Sequence, residues 1–310
     1  MNKVILSIVL AVSSLLSVHG QSNSLSEIGQ RIRNVLKDKD ATVGIAVIFD
    51  NGDTLTLNNQ HHYPLMSVCK FPLTIKVLDY LEKYNLPLAT EIIVGKKDLL
   101  SSTYSPLRDA YPEGGTFTIA ELIKYTIAES DNNTCDVLFR YVGGTEAVQQ
   151  YVDSLDILDM KIVATEEKMG EDKVNEYLNW STPYAATQLL ERYLSKRLFA
   201  PVYQEFLEST MIETVTGLDK IRGLLPSEAI VGHKTGSSSR DASGRRIGDN
   251  DLAFVRLPNG RGYSIAVFVT QSLENDKVNA SIIAEISKII YDYYKSLSEK
   301  SGPSESLITT

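Results

Sequence analysis

Two rhythms of hydrophobic and polar positions run along this chain, one with the period of a helix and one with that of a strand. Leu25, Ile28, Ile32 and Val35 recur at spacings of three and four, behind Ser24 as a cap and Glu27 three residues on, so 24–36 is predicted to be helical. Thr42 to Phe49 is rich in Val and Ile, Asp50-Asn51-Gly52-Asp53 reads as a turn, and Thr54 to Leu57 returns, which predicts a hairpin. A long helical block follows, with its stronger segments at Leu73 to Tyr84, Ile119 to Ser130, Thr134 to Tyr141, Thr145 to Leu155 and Ala185 to Phe199. Within it, Gly95 to Gly115 is turn-rich and is expected to be surface loop. Strand-like runs come back at Ala229 to Lys234, Asp251 to Leu257 and Tyr263 to Thr270, before an amphipathic helix over Ala280 to Tyr294.

This order predicts an α/β domain built from the two ends of the chain, 21–62 and 214–297, around a mostly antiparallel sheet flanked by helices. An all-helical domain, 63–213, is inserted between them, and 298–310 is a polar tail. Such a two-lobed design leaves a cleft between the lobes, where ligand sites are favoured.

Composition narrows the picture. The 310 residues are 43% hydrophobic and 23% charged, enough for a sizeable core and unlike a disordered or collagen-like chain. With 31 Lys and Arg against 39 Asp and Glu, the formal net charge is −8, and no basic footprint invites nucleic acid or an anionic membrane. Anionic small substrates stay open, because a local cluster of Lys and Arg reverses the field inside a cleft. No assembly motif is visible, so a monomer is expected.

The N-terminus reads as a signal peptide over 1–20. Met1-Asn2-Lys3 is basic, Val4 to Leu16 is mostly apolar, and Val18-His19-Gly20 is a cleavage site before Gln21. The apolar stretch is too short for a comfortable membrane span. The expectation is export to the periplasm or medium, with a mature chain of about 290 residues. Export permits a disulfide between Cys69 and Cys135, but a chain of this size does not need one. Two buried thiols are the expectation and a bond the alternative. Two cysteines without a CxxC spacing make no zinc site.

Three short motifs carry the chemistry. In Ser67-Val68-Cys69-Lys70 the i,i+3 spacing puts an amine one helical turn from a hydroxyl, and a serine becomes a nucleophile only when a neighbouring base takes its proton. Alone, the pattern reads equally as a cap serine and a solvated lysine. Ser130-Asp131-Asn132 lies between two helical segments, as a cap and turn or as a hydroxyl and amide facing the cleft. Lys234-Thr235-Gly236, with Ser237 after it, ends a strand-like run. A lysine there attracts a carboxylate, and the glycine lets a ligand approach the strand backbone.

Together, in this order and at these separations, SxxK, SDN and KTG match the signature of serine penicillin-recognising enzymes. The chain resembles a class A serine β-lactamase over nearly all of its mature length, in the branch common among Bacteroidetes-type bacteria, whose members often act as cephalosporinases or extended-spectrum enzymes. His233 before KTG and the Thr216-Gly217-Leu218-Asp219-Lys220-Ile221 run add to the likeness. The resemblance implies the two-lobed fold of that family, no metal or organic cofactor, and β-lactams, cephalosporins and penicillins, as substrates. It implies Ser67 as the acylated nucleophile, Lys70 as its proton partner, and Ser130 as the relay to the departing nitrogen. Asn132 would hold the acylamide side chain, and Lys234 and Thr235 the substrate carboxylate. The amides of Ser67 and Ser237 would form the oxyanion hole.

The deacylating base falls in a catalytic loop near 160–182. Glu166 is favoured over Glu167 within Glu166-Glu167-Lys168-Met169-Gly170, where Gly170 stands in place of the family's Asn and removes one anchor of the hydrolytic water. Lys220, where some relatives use an arginine, is a candidate second anchor for the carboxylate, with Arg222 and Arg240 as further sources of charge. A penicillin-binding D,D-peptidase, or a secreted sensor that acylates without turnover, is the alternative. Glu166 argues against the first and the full set of Ser67, Lys70, Ser130 and Lys234 against the second. His61-His62 is expected at the surface, His233 to point away from Lys234, and Trp180 with Tyr177 and Tyr184 to form core around the loop.

Overall fold

The computed structural model describes residues 26–196 and 198–300. The predicted leader, the start of the first predicted helix and the tail beyond 300 lie outside the described residues. Helix α1 (26–36) leads into strands β1 (Thr42–Phe49) and β2 (Thr54–Leu57), whose turn places Gly52 at a positive φ. Near the C-terminal end come β8 (Ile230–Ser237), β9 (Asp249–Arg256), β10 (Gly262–Thr270) and helix α10 (Asp276–Lys300). Helix α10 includes 298–300, so these residues continue the helix rather than the tail.

Between them lie β3 (Tyr63–Pro64), a 3-10 turn (Met66–Cys69), α2 (Lys70–Lys83), β4 (Glu91–Gly95), α3 (Pro106–Ala110), β5 (Gly114–Thr118), α4 (Ile119–Ile127), α5 (Asn132–Tyr141) and α6 (Gly144–Ser154). The block closes with β6 (Met160–Lys161), α7 (Glu166–Glu171), β7 (Trp180–Ser181), α8 (Pro183–Lys196) and α9 (Pro201–Ile212). It is therefore not all helical. β4 pairs with β5, and β3, β7 and β6 form a small sheet. Two-residue strands carry no periodic signal, and the β4–β5 hairpin is closed by the stretch expected as loop.

The main sheet has the order β2-β1-β10-β9-β8 and every pairing is antiparallel. Both of its faces are covered, so its alternation sorts side chains between two cores. From β10, Ile265, Val267 and Val269 pack with α1 and α10, while Ala266 and Phe268 join the large core of the helical block. Each of these fully buried Ile, Val and Phe side chains contributes about 1.5–3 kcal/mol.

The same alternation decides where β8 sends its polar residues. Lys234 shares the Leu252–Phe254 side and faces the helices, whereas His233, Thr235 and Ser237 face the other way, opposite Ala253, Asp251 and Asp249. The starts of α3, α4, α5 and α7 are set by side-chain caps. Thr118 and Glu121 form a capping box on α4, and Asp131 accepts from Thr134 N at the start of α5.

Candidate active site

Ser67 sits in the 3-10 turn that runs directly into α2, which keeps Lys70 one turn further on. The turn is clamped from both sides. Leu65 N donates to Asn179 O (2.9 Å), and Asn250 Nδ2 donates to Pro64 O (2.7 Å). Gly236 brings the backbone of β8 against it. A Cβ at that position would lie 2.5 Å from Leu65 O and 2.9 Å from Ser67 N, so only glycine allows the approach.

Lys70 is fully buried and its Nζ is surrounded by acceptors: Ser67 Oγ (2.9 Å), Ser130 O (2.8 Å), Asn132 Oδ1 (2.5 Å) and Glu166 Oε1 (3.0 Å). Burial is the largest single influence and pushes the amine down, but the Glu166 carboxylate together with the adjacent Cys135 and Cys69 holds Lys70 above its ordinary value. Lys70 is therefore an ammonium that donates to Ser67 Oγ while lying in ion contact with the Glu166 carboxylate.

Ser130 adopts a left-handed backbone (φ 60), which aims both its carbonyl and its hydroxyl at the lysines. The conformation is held by Asp131, buried, which accepts from Ser105 Oγ and Leu107 N as well as from Thr134 N. Lys234 Nζ reaches across from β8 to donate to Ser130 Oγ (2.9 Å) and Thr235 O (2.9 Å). Burial, and then the Lys70 charge, lower its pKa to about 7.

Glu166 opens α7. Its own N–H and that of Glu167 donate to the two oxygens of the buried Asp136 (2.7 and 2.8 Å). Burial pushes the Asp136 carboxyl up to about 6, against the pull of these two amides. The loop before α7 is strapped by Asn179, whose Oδ1 accepts from Val163 N and Ala164 N and whose Nδ2 donates to Ala164 O. With the helix start so fixed, the Glu166 side chain is 9% exposed against Lys70, while Glu167 turns to solvent. That separates two neighbours the spacing alone ranks only weakly.

Ser67, Asn132, Glu166, Gly170 and Ser237 line one cleft of about 340 Å3 between the lobes, together with Ser102, Thr103 and Tyr104 from the stretch expected as plain loop. A second cavity of about 290 Å3 adjoins it and shares Ser102, Thr103, Glu166 and Gly170. A Cβ on Gly170 would meet nothing within 4 Å, so the space of the missing Asn is open. Thr103 Oγ1 accepts from Asn132 Nδ2 (2.7 Å).

Other expected residues are placed differently. Thr235 Oγ1 is paired with Thr216 Oγ1 (2.7 Å), and Lys220 is buried in an ion pair with Asp249 (2.5 Å) instead of offering a free charge. Arg240 is tied to Asp276 and Arg222 is exposed. His233, as its strand alternation predicts, points away from Lys234, and it binds Asp251. His62, exposed, stacks on Trp180 at 3.5 Å, while Tyr177 is exposed and accepts from Gln271, so these aromatics are partly surface rather than core. Cys69 and Cys135 are free, buried thiols in contact behind the nucleophile, and burial pushes the Cys135 thiol up. Asp136, Asn179, Thr103 and Asp249 carry no motif that marks them; only their partners reveal them.

A hydroxyl activated beside a buried ammonium, with a carboxylate in the same cleft, defines a serine acyl-transfer hydrolase. Residues 27–294 match the Beta-lactamase enzyme family. A β-lactamase of Bacteroides uniformis is 42% identical over 92% of this chain and 97% of its own length, and VEB-1 of Pseudomonas aeruginosa is 39% identical over 94% and 99%. Among solved structures, a class A β-lactamase from Bacteroides cellulosilyticus superposes with a TM-score of 0.86 at 49% identity, covering 88% of this chain and 99% of that one. The extended-spectrum β-lactamase TLA-1 gives 0.86 at 42%, covering 87% and 99%. The chain belongs to the β-lactamase family as a class A serine enzyme, related to those of Bacteroidetes-type bacteria.

Two outcomes are expected from this geometry. Asp136→Ala leaves two amides at the start of α7 without an acceptor. It should lower stability by about 1–3 kcal/mol in thermal or urea unfolding, with a fall in kcat from a misplaced Glu166. Because the Lys234 ammonium is lost as pH rises through about 7, kcat/KM for an anionic substrate should decline on the alkaline side with a free-enzyme pKa near that value. A flat profile from pH 6 to 9 would contradict it.

Proposed function

We propose that the enzyme hydrolyses cephalosporins and penicillins through an ester on Ser67. The observation that carries this reading is the continuous contact from Ser67 Oγ through Lys70 Nζ to Glu166 Oε1. Ser67 Oγ attacks the lactam carbonyl carbon and its proton passes to Glu166 by way of the Lys70 contact. The ring C–N bond breaks, and the nitrogen takes the Ser130 hydroxyl proton, which Lys234 and Lys70 flank. Before the second half, the proton on Glu166 returns by way of Lys70 to the Ser130 oxygen. A water then gives its proton to Glu166 and attacks the ester, and the Ser67 oxygen leaves and takes that proton back by way of Lys70. The amides of Ser67 and Ser237 stabilise the oxyanion in both halves.

Asn132 Nδ2 exchanges Thr103 for the carbonyl of the acylamide side chain, and Lys234 anchors the substrate carboxylate, joined by Thr235 Oγ1 with Thr216 Oγ1 donating to it. The open space at Gly170 and the adjoining cavity support room for a bulky side chain beside Glu166. The protein acts as an exported monomer, which rests on the leader before Gln21 and the absence of an assembly motif in the sequence.

Purified protein should turn over a chromogenic cephalosporin many times per molecule, whereas a single stoichiometric burst would favour a peptidase or sensor. Ser67→Ala should abolish covalent labelling. Glu166→Ala should still label, though more slowly, and then stall, with steady-state turnover down about 100- to 10,000-fold; unchanged turnover would reject the base assignment. For export, sequencing the protein recovered outside the cytoplasm should give Gln21 as the first residue, and an intact Met1 would reject the leader.

A further inference from the structure

On the face of the sheet turned away from Lys70 and Glu166, a second charged group meets the rim of the cleft. Ser237 and Asp249 stand directly opposite each other in the β8–β9 register, so their side chains share a face. Lys220 enters from the loop before β8. Its Nζ donates to Asp249 Oδ1 (2.5 Å), Ser237 Oγ (3.0 Å) and Asn250 O (3.3 Å), and Ser237 Oγ donates in turn to the same Asp249 Oδ1 (2.8 Å). The ring is closed. Lys220 and Asp249 side chains are 7% and 5% exposed, and of the three residues only Ser237 lines the cleft.

A buried ammonium in contact with a carboxylate presents almost no net charge at a distance, and a hydroxyl already donating has no proton to offer a ligand. We propose that Asp249 is a specificity-determining residue that withholds the Lys220 charge and the Ser237 hydroxyl from the substrate carboxylate, leaving that group to Lys234 and Thr235. This rests on the β-lactam reading of the cleft given above. The role belongs to Asp249 because Lys220 and the Ser237 hydroxyl beside it would otherwise form a cation and donor at the carboxylate end, the anchoring role that the family resemblance implies for Lys220. Asp249 touches neither the substrate nor the reacting atoms, and it acts through its two partners.

The test is steady-state kinetics of wild type and Asp249→Asn on a chromogenic cephalosporin and on the same compound with its carboxylate esterified. Freed from its counter-ion, Lys220 should lower KM for the carboxylate form by about tenfold, the scale of one added hydrogen bond to a charged group, with kcat within about threefold. The gain should shrink as salt is raised and be absent for the ester. Asp249→Glu, which keeps the carboxylate, should restore a KM near that of wild type. In Lys220→Gln/Asp249→Asn, which leaves no unpaired buried charge to compromise folding, the gain should vanish.

An unchanged or higher KM in folded Asp249→Asn, an equal fall for the ester, or a gain that survives in the double variant would each overturn the proposal. Should the single variant not fold, a double variant with KM for the carboxylate form raised about tenfold above wild type would overturn it too, since Lys220 would then be binding that group despite Asp249. Wild-type protein without any turnover would remove the substrate reading and this proposal together.

Discussion

The buried ammonium of Lys70 is the constraint around which the catalytic half of the molecule is arranged. Taking such an ion out of water costs several kcal/mol unless acceptors replace its hydration, and removing one partner of a buried pair typically costs about 3–5 kcal/mol. Here the acceptors come from three separate segments: the 3-10 turn, the left-handed Ser130 turn and the start of α7. The contacts that keep the lysine charged are also those that bring the Ser67 hydroxyl and the Glu166 carboxylate onto one amine. Stability of the site and its chemistry are therefore one set of interactions.

Each acceptor is in turn held from behind. Asp131 fixes the Ser130 turn, Asp136 caps the amides of Glu166 and Glu167, and Asn179 ties the loop before α7 to the strand leading into Ser67. This outer set is built largely of backbone groups bonded to short polar side chains, which restricts the positions of the inner set without filling the cleft. The β8 strand divides the remaining charges by its pleat. Lys234 goes to the helical side, where burial, and then the Lys70 charge, weaken its hold on a proton, and Lys220 meets Asp249 on the other side.

The two cavities beside Glu166 follow from the same economy of side chains. Gly170 leaves open a space that no neighbour fills, and the 100–104 stretch forms the facing wall. That stretch is turn-rich in sequence and carries no periodic pattern, yet Arg108 Nη1 donates to its backbone at Leu100 O and Thr103 O, which orders it against the cleft.

Local sequence determined a good deal of this protein. The hairpin, the three late strands and most helices follow from periodicity and caps, because those signals act within a few residues. The SxxK, SDN and KTG motifs are short enough to be read for the same reason. What local spacing leaves open is whatever depends on distant partners. Glu166 and Glu167 are adjacent and alike until Asp136, 30 residues away, fixes which of them turns inward. Lys220 looks like a free cation until β9, folded beside β8, sets Asp249 against it. The small β3-β7-β6 sheet likewise lacks a local signature, and the 201–212 helix offers only Pro201 at its first position. A charge's role is decided by what lies within a few ångströms of it in a dry interior, and only the tertiary structure brings those neighbours together.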